Sequence, residues 1–397
     1  MRLDGREIAV VGAGIGGLAA AIALAQRRAR VRVFEQAAAL GEVGAGIQIA
    51  PNGVAVLEAL GLRDAAEVRA SLPQAVELVD HRAARPVARV PLGQAIVARH
   101  GRPYWHFHRA DLLAVLKGGA AEAGVALALG EAVEAVEPAR GRLRLRGGAE
   151  AGPFDAVVAA DGVRSGLRAA HLDAAPARFT GHVAWRALVP AARAPAEFLR
   201  PAARVTMAPG RHLVSYPLRG ASLVNLVAIE ERAAWAEEGW SLPGDPGQLR
   251  RAFAGWSGAA AALLAEVEAC WLWGLFGHAP LAAWTTGRLA LLGDACHPML
   301  PFLAQGATLA LEDAWVLAEC LDLAADPREG LAAYEAARLA RATRVQHAAA
   351  RASRIYHLGP GVRAPVQAAL AGLSAVAPSL LAGRFDWLFG HDVTTTG

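Results

Sequence analysis

The stretch EIAVVGAGIGGLAAAIALAQRR, at residues 7–28, decides the fold. It begins with a short apolar run that is typical of a buried strand, continues through a glycine-rich turn and ends in a helical segment. Gly12, Gly14 and Gly17 have the GxGxxG spacing between that strand and that helix. Glycines at these positions permit a tight turn and let a pyrophosphate approach the positive N-terminus of the helix. The stretch therefore predicts a dinucleotide-binding βα unit.

A second strand, VRVFE at residues 31–35, completes a βαβ unit. Glu35 ends this strand about twenty residues after the turn, where an acidic side chain accepts hydrogen bonds from an adenosine ribose. Gln36 follows it and is included among the candidate cofactor residues. The alternative is that the glycines serve only the turn and that Glu35 is a solvated strand end. The motif by itself does not distinguish NAD from FAD.

Two later segments, AVVAADG at 156–162 and RLALLGD at 288–294, have the same buried-strand character. Both end in Gly or Asp, as strands that enter a ligand crevice often do. Between them, residues 179–230 contain alternating runs separated by turns, which predicts an inserted antiparallel meander. Residues 306–321 and 328–357 predict two helices, and the final 40 residues predict a closing helical segment.

The composition limits the class of protein. The chain has 397 residues, which at roughly 100–200 residues per domain allows two or three domains. Hydrophobic residues make up 54% and charged residues 19%, a balance that excludes a disordered or fibrous chain. Forty basic and thirty-six acidic residues give a net charge of +4, and they are scattered without a basic stripe. Nucleic acid is therefore not an expected partner.

The cysteines and the apolar runs indicate the compartment. Cys270, Cys296 and Cys320 are odd in number and have no short paired spacing, which argues against disulfides and against a zinc site. We expect no metal site and a cytoplasmic location. No uninterrupted apolar run reaches the ~18 residues that a membrane span requires, so none is expected.

Two further motifs favour FAD over NAD. Asp161-Gly162 and Gly293-Asp294 each follow a predicted strand, and they come in this order after the glycine turn. With these motifs the chain resembles the single-component aromatic hydroxylases, the FAD-dependent monooxygenases of the para-hydroxybenzoate hydroxylase class. The resemblance extends over HRADLL at 108–113, FTGHVAWR at 179–186, YPLR at 216–219, GDACHP at 293–298 and AQGATLALEDA at 304–314. The nearest branch resembles the salicylate, 3-hydroxybenzoate and 6-hydroxynicotinate hydroxylases.

This resemblance implies an α/β fold in which a Rossmann-like FAD-binding domain carries an inserted antiparallel-sheet substrate domain and a C-terminal helical segment. The FAD-binding domain is expected to be discontinuous, over 1–75, 98–175 and 283–350. The substrate domain is expected over 76–97 and 176–282, and the helical segment over 351–397.

The resemblance also implies roles for individual residues in holding FAD noncovalently. Glu35 and Arg109 would hold the adenosine and ribityl parts, and Asp294 the ribityl chain. Asp161 belongs to a motif that contacts both FAD and a transient nicotinamide, which is NADH or NADPH. The remaining expected cofactor residues are Gln48, and Gly306 and Ala307, whose amides at a helix N-terminus stabilise negative charge on a reduced flavin. For Arg109, an ion pair with Asp111 is the alternative.

On the substrate side, His212, Val214 and Tyr216 lie on one face of a predicted strand, because side chains alternate with period two. His212 matches a histidine near the substrate hydroxyl in the 3-hydroxybenzoate branch, and a neutral imidazole is suited to accept a phenolic proton. The alternative is a satisfied sheet histidine. Tyr216 and Gln305 complete the predicted catalytic group. Arg186, Arg211 and Arg219 all remain candidates for binding a substrate carboxylate.

The resemblance implies hydroxylation of a phenolic aromatic substrate with NAD(P)H and O₂, through a flavin C4a-hydroperoxide. Phe302 replaces a histidine of the hydroxynicotinate branch, which favours a benzenoid ring. Three alternatives stay open: an epoxidase, a tailoring hydroxylase of a larger polyketide or terpenoid, and a non-catalytic flavin-binding protein. A homodimer is one assembly that the sequence allows.

Overall fold

The structure, a computed structural model, describes residues 2–41, 46–83, 85–172, 174–235 and 242–395. Its strands, in chain order, are β1 (Glu7–Val11), β2 (Arg30–Glu35), β3 (Gly46–Ile49), β4 (Ala75–Asp80), β5 (Ala88–Pro91), β6 (Trp105–His108), β7 (Ala126–Leu129), β8 (Val133–Glu137), β9 (Arg142–Leu145), β10 (Glu150–Ala151), β11 (Ala156–Ala159), β12 (Arg178–Pro190), β13 (Ala202–Ala208), β14 (Arg211–Leu218), β15 (Leu223–Glu231), β16 (Leu242–Gly244), β17 (Cys270–Gly277), β18 (Thr285–Thr286) and β19 (Leu289–Leu291).

The α-helices of the described residues follow the same numbering. They are α1 (Ile15–Gln26), α2 (Pro51–Ala59), α3 (Arg63–Glu67), α4 (Gln94–His100), α5 (Arg109–Glu122), α6 (Gly166–His171), α7 (Pro246–Ala252), α8 (Gly258–Ala265), α9 (Gly306–Leu323), α10 (Pro327–Tyr356), α11 (Pro360–Val376), α12 (Pro378–Gly383) and α13 (Asp386–Phe389). Among the described helices, none is long and apolar enough to cross a membrane.

A six-stranded sheet, in the order β18-β19-β11-β1-β2-β7, forms the α/β part of the molecule. The pairs β19–β11, β11–β1, β1–β2 and β2–β7 are parallel. Their carboxyl ends therefore meet at one edge, and the predicted glycine turn, Glu35, Asp161 and the Gly293-Asp294 pair all follow strands that end there. Most of the buried apolar residues of α1, α5 and α9 belong to the hydrophobic core that also contains the central strands.

A second, eight-stranded sheet has the order β16-β17-β12-β15-β14-β13-β4-β5. Strands β13, β14 and β15 form the predicted antiparallel meander. The sheet as a whole is mixed, because β4 enters it from the N-terminal part of the chain and pairs in parallel with β13. Helices α9 and α10 occupy the two predicted helical segments, and α11, α12 and α13 close the chain. The predicted α/β class with an inserted sheet and a C-terminal helical segment is confirmed.

Candidate active site

The glycine turn between β1 and α1 is shaped by close backbone contacts. Gly12 has a φ of +100°, and a Cβ atom there would lie 2.5 Å from the carbonyl oxygen of Ala160. A Cβ atom on Gly17 would lie 2.0 Å from the carbonyl oxygen of Gly12. Around Gly14, no described atom lies within 4 Å of that position, so the turn is open where the helix begins. This geometry leaves room for a ligand group beside the first turn of α1.

Glu35 lies at the end of β2 and contacts the glycine turn directly. Its Oε2 accepts a hydrogen bond from the backbone N–H of Ala13, and its Oε1 accepts one from the N–H of Ala37, both at 2.8 Å. A carboxylate offers about four acceptor positions, so further donors can be accommodated. The side chain of Gln36, next along the chain, is exposed.

Two aspartates follow the neighbouring strands β11 and β19. Asp161 adjoins the glycine turn, and its Oδ1 accepts no hydrogen bond from the residues that the structure describes. Burial raises the pKa of Asp161 and of Asp294 above the usual value for a carboxyl group. Asp294 is accessible, but its accessible surface faces a cavity inside the protein. Nearby Arg109 and Arg168 act against the rise in the pKa of Asp294.

A cavity of about 1000 Å³ lies between the α/β part and the eight-stranded sheet, and we call it the central cavity. It brings together most of the predicted residues on the flavin and substrate sides. These are Gln48, Arg109, His212, Tyr216, Asp294, Gln305, Gly306 and Ala307. The glycine turn, Glu35, Gln36 and Asp161 are not part of its lining and form a second group at the edge of the six-stranded sheet.

One face of the eight-stranded sheet forms a wall of the central cavity. In the register of the sheet, His212 is opposite Ile229, Val214 is opposite Val227, and Val227 is in turn opposite Arg186. Paired residues share a face, and all five of these side chains line the cavity. The basic side chain of Arg186 and the imidazole of His212 therefore point into the same space from strands that are two apart.

His212 is 1% exposed within the sheet. Its Nδ1 lies 2.6 Å from Nε2 of His357, and its ring lies 5.6 Å from that of Phe302. Burial, together with the neighbouring His357 and His182, holds the pKa of His212 well below its usual value. The ring is therefore neutral at physiological pH and is able to accept a proton.

Tyr216 lies four residues further along β14 and has a different environment. Its ring packs on His106 with 4.3 Å between the ring centroids. Burial raises the pKa of Tyr216 far above that of a free phenol, although a hydrogen bond with Gln48 acts in the opposite direction. Gln48 also accepts a hydrogen bond from the hydroxyl of Tyr104 at 2.7 Å. Tyr216 is therefore a neutral hydroxyl group, suited to hydrogen bonding and unsuited to act as a base.

Gln305 precedes the first turn of α9 and is 1% exposed. Its Oε1 accepts a hydrogen bond from Nδ2 of Asn52 at 3.4 Å. Its Nε2 donates to no group among the residues that the structure describes. Because a buried amide without a partner is costly, this donor beside the central cavity fits a polar group of a bound molecule.

The three candidate arginines have different positions. Arg219 donates from Nε and Nη2 to Asp111, at 2.8 and 2.6 Å. Asp111, the alternative partner considered for Arg109, is thus engaged by Arg219, while Arg109 lies at the start of α5 on the cavity wall. Arg211 is not among the lining residues of the described chain. Arg186 does line the cavity, and its guanidinium lies 4.3 Å from the ring centroid of Trp273.

A buried ionic network lies between α9 and α10, and sequence reasoning missed it. Arg338 donates to Oδ1 of Asp313 at 2.8 Å and to Oε2 of Glu312 at 2.6 Å. Arg341 also binds Glu312 at 2.7 Å, and Asn52 connects Glu312 to Gln305. Glu312 and Asp313 are adjacent acidic residues of α9, as they could be on any exposed helix face. The sequence pattern therefore gave no sign that they are buried against Arg338 of α10.

Among the described residues, two groups of side chains have possible metal-ligating atoms within 4.8 Å of one another. They are His182, Glu231 and His357, and Cys296, His297 and Asp313. In both groups a histidine nitrogen is already hydrogen-bonded to the carboxylate, from His357 to Glu231 and from His297 to Asp313. We therefore describe both as hydrogen-bonded clusters. His357, which the sequence analysis did not single out, contacts His212 across 145 residues of chain.

These features fit FAD. The open space at Gly14 is suited to a pyrophosphate, and the unsatisfied Oδ1 of Asp161, beside the glycine turn, is suited to a polar group of the cofactor. Residues 6–349 match the family model described as FAD binding domain. The chain belongs to this family. The prediction that its cofactor is FAD is confirmed.

The similarity of this FAD-binding protein to known enzymes extends over nearly the whole chain. It is 39% identical to 3-amino-4-hydroxybenzoate 2-monooxygenase of Streptomyces platensis, over 98% of this chain and 97% of the relative. It is 34% identical to 3-hydroxybenzoate 6-hydroxylase of Polaromonas naphthalenivorans (strain CJ2), over 97% and 96%. A salicylate hydroxylase substrate complex superposes with a TM-score of 0.81 at 27% identity, over 98% and 97%. With these relatives, the prediction that the chain is a flavoprotein monooxygenase, and not a non-catalytic flavin-binding protein, is confirmed.

Proposed function

We propose that this FAD-binding protein hydroxylates a phenolic aromatic acid, whose ring lies between His212 and Arg186. The observation that carries the proposal is the shared face of the eight-stranded sheet. The backbones of His212 and Arg186 are separated by two strand spacings, about 10 Å, across the sheet. They are also offset by two residues, about 7 Å, along the strand direction. Side chains that reach inward from positions so placed leave a gap suited to one benzenoid ring with a hydroxyl and a carboxylate group.

Each residue has a distinct part in this proposal. His212 accepts the phenolic proton, because its ring is neutral and lies on the cavity wall. Arg186 binds the carboxylate, and its stacking on Trp273 holds the guanidinium in place. Tyr216 and Gln305 donate hydrogen bonds that position the ring, and Phe302 keeps water from His212. FAD, when bound, takes a hydride from NADH or NADPH and activates O₂.

The cofactor contacts belong to the same proposal. Gly12, Gly14, Gly17, Glu35 and Gln36 would hold the adenosine and pyrophosphate part, with Asp161 beside them. Arg109, Asp294, Gln48, Gly306 and Ala307 would hold the ribityl and flavin part in the central cavity. The domain boundaries given in the sequence analysis stay predictions, as does a cytoplasmic location. A homodimer also stays a prediction, and light scattering would test it.

The test of the proposed function is substrate-dependent consumption of NADH. We expect 3-amino-4-hydroxybenzoate, 3-hydroxybenzoate or salicylate to accelerate NADH oxidation by the FAD-loaded protein and to be recovered as a hydroxylated product. Benzoate, which lacks the phenolic group, is the control and should yield none. Failure of all three acids to give a product, in a protein that contains FAD, would contradict the proposal.

Replacing Arg186 by methionine tests the position of the carboxylate. A charge-assisted hydrogen bond is worth roughly 1.5–3 kcal/mol, so the KM for the accepted acid should rise about tenfold or more. The KM for the corresponding phenol without a carboxylate should not change. Arg219→Met is the matched control, because Arg219 is bound to Asp111 outside the cavity lining. If the KM rises only in Arg219→Met, then Arg219 binds the carboxylate and the role proposed for Arg186 is wrong.

Replacing Asp294 by alanine tests the cofactor contacts. If Asp294 binds the ribityl chain, the variant loses a charge-assisted contact of roughly 1.5–3 kcal/mol. The dissociation constant of FAD, measured by titration of the apoprotein, should rise about tenfold or more. Asp64→Ala removes an exposed aspartate of α3 and serves as the control. Equal affinities in the two variants would mean that Gly293-Asp294 is only a turn.

A further inference from the structure

A chain of hydrogen bonds leads from the central cavity to the protein surface through three side chains. Nδ1 of His212 lies 2.6 Å from Nε2 of His357, and Nδ1 of His357 lies 2.8 Å from Oε1 of Glu231. The side chain of His357 is 4% exposed and that of Glu231 is 54% exposed. The three groups therefore connect a buried ring on the cavity wall with a carboxylate in water.

The carboxylate at the outer end determines the tautomer of both rings. An ionised carboxylate only accepts hydrogen bonds, so His357 carries a proton on Nδ1 and donates it to Glu231. Burial lowers the pKa of His357, so the ring is neutral and its Nε2 carries a lone pair that can accept a hydrogen bond. His212 must then donate from Nδ1 to that lone pair. Its own Nε2 is left without a proton and is the basic atom of the ring.

Two further groups face these rings and complete their surroundings. His182, on β12, has its ring centroid 5.3 Å from that of His357, and its Nδ1 lies 2.9 Å from the carbonyl oxygen of Thr180. Because a carbonyl only accepts, this nitrogen of His182 carries a proton and donates it to Thr180. Tyr356, on α10, packs 5.1 Å from His212, and burial raises its pKa. Both contacts leave the bond between His212 and His357 intact.

We propose that His357 and Glu231 are positioning residues that act through His212 and carry the phenolic proton of the substrate out of the cavity. The inference rests on the proposed function. The phenolic O–H bond breaks as its proton passes to Nε2 of His212. The proton on Nδ1 of His212 passes to Nε2 of His357, and the proton on Nδ1 of His357 passes to Glu231 and then to water.

This sequence balances without an oxidant or a reductant. One phenolate forms, one proton reaches the solvent, and no electron moves between groups. Both rings end in the opposite tautomer. The reverse path restores them when the product takes up a proton and leaves as a phenol.

The environment of His212 explains why a relay is useful there. Burial and the two neighbouring histidines disfavour the imidazolium form of His212. A proton taken from a phenol therefore has no stable resting place on this ring. Transfer to the exposed Glu231 removes that cost, since the proton ends in water.

The test follows ionisation of a bound phenol without turnover. The FAD-loaded protein is mixed anaerobically, without NADH, with 3-amino-4-hydroxybenzoate in a weakly buffered solution that contains phenol red. Ultraviolet absorbance reports the phenolate, and the dye reports the released proton. In the native protein both signals should appear together. In His357→Gln and in Glu231→Gln, both should slow by about tenfold or more, because a positioned proton acceptor contributes factors of this size or larger.

Two further measurements separate the relay from a structural role. Free imidazole should restore fast ionisation in His357→Ala, with saturation. His347→Gln, which removes an exposed histidine of α10, the helix that precedes His357, should behave like the native protein. Glu231 is at an exposed strand end, so Glu231→Gln keeps the test valid if a variant of His357 is unstable.

The outcomes distinguish the two proposals. If the acid binds, seen as a change in the visible flavin spectrum, and ionises equally fast in His357→Gln and Glu231→Gln, the relay is overturned. Binding to the native protein without ionisation overturns it as well. If neither 3-amino-4-hydroxybenzoate nor the other two acids bind to the native protein, the proposed function fails, and the relay with it.

Discussion

Replacing His212 by alanine is expected to lower the rate of hydroxylation by about 10²–10⁴-fold, the usual contribution of a positioned base. A phenolate ring is far richer in electrons than a phenol, so oxygen transfer depends on removal of the proton. The variant leaves the proposed cofactor residues intact. NADH oxidation should therefore continue, with H₂O₂ in place of the hydroxylated product. Absorbance, a peroxidase assay and chromatography measure these three quantities.

The control for this prediction is His347→Ala, which removes an exposed histidine far along the chain from the sheet. It should remain coupled, with one product formed for each NADH oxidised. If His212→Ala is also fully coupled at an unaltered rate, His212 is a structural residue of the sheet. A bound water would then be the candidate base, because burial keeps Tyr216 protonated.

Replacing Arg338 by methionine should destabilise the protein by about 3–5 kcal/mol, the cost of removing one partner from a buried ionic group. Arg338 is 1% exposed, and the carboxylates of Glu312 and Asp313 are fully buried beside it. Both acids have a pKa below the usual value, with Arg338 among the causes, so they are ionised in the folded protein. Methionine fills a similar volume but removes one charged donor from each acid, so that Glu312 keeps Arg341 and Asn52, and Asp313 keeps His297. Urea unfolding, followed by tryptophan fluorescence, measures the change in the free energy of unfolding.

Arg328→Met is the matched control, since Arg328 is in the same helix α10 and pairs with Asp326 on the surface. Exposed ion pairs contribute little to stability, so its unfolding curve should match that of the native protein. The idea of a costly buried network would be abandoned if the two variants unfolded at the same urea concentration.

The local pattern was sufficient for the α/β part of the molecule. The strand, the glycine turn and the helix of residues 7–28 lie where their spacing predicts them, as β1 (Glu7–Val11) and α1 (Ile15–Gln26). The reason is physical. Each element is specified by residues that are close in sequence, through the periodicity of burial and the steric demands of Gly12 and Gly17. The meander of β13, β14 and β15 was predictable for the same reason.

The sequence also placed His212 and Tyr216 on a common face, but it left Arg186, Arg211 and Arg219 as equal candidates for binding a substrate carboxylate. Which of them lines the cavity depends on which strands are neighbours in the sheet. Pairing of β12 with β15, and of β15 with β14, brings Arg186 to the face that carries His212. The pairing of Arg219 with Asp111 is likewise a contact between the turn that follows β14 and helix α5. Strand order and long-range ion pairs are not encoded in any single stretch of residues.

By itself, therefore, the sequence determined the class of fold, the cofactor and the strand that carries the candidate base. The elements follow from local motifs and periods of two or 3.6 residues, and the cofactor and the base follow from the family resemblance that those motifs carry. Only the tertiary structure decided what surrounds that base. His357 follows α10 and Glu231 ends β15, yet both join the same hydrogen-bonded chain as His212. Glu312, Asp313 and Arg338 likewise become an ionic group only when α9 and α10 pack together. Such contacts arise from packing that excludes water, and packing brings together residues whose separation along the chain carries no signal.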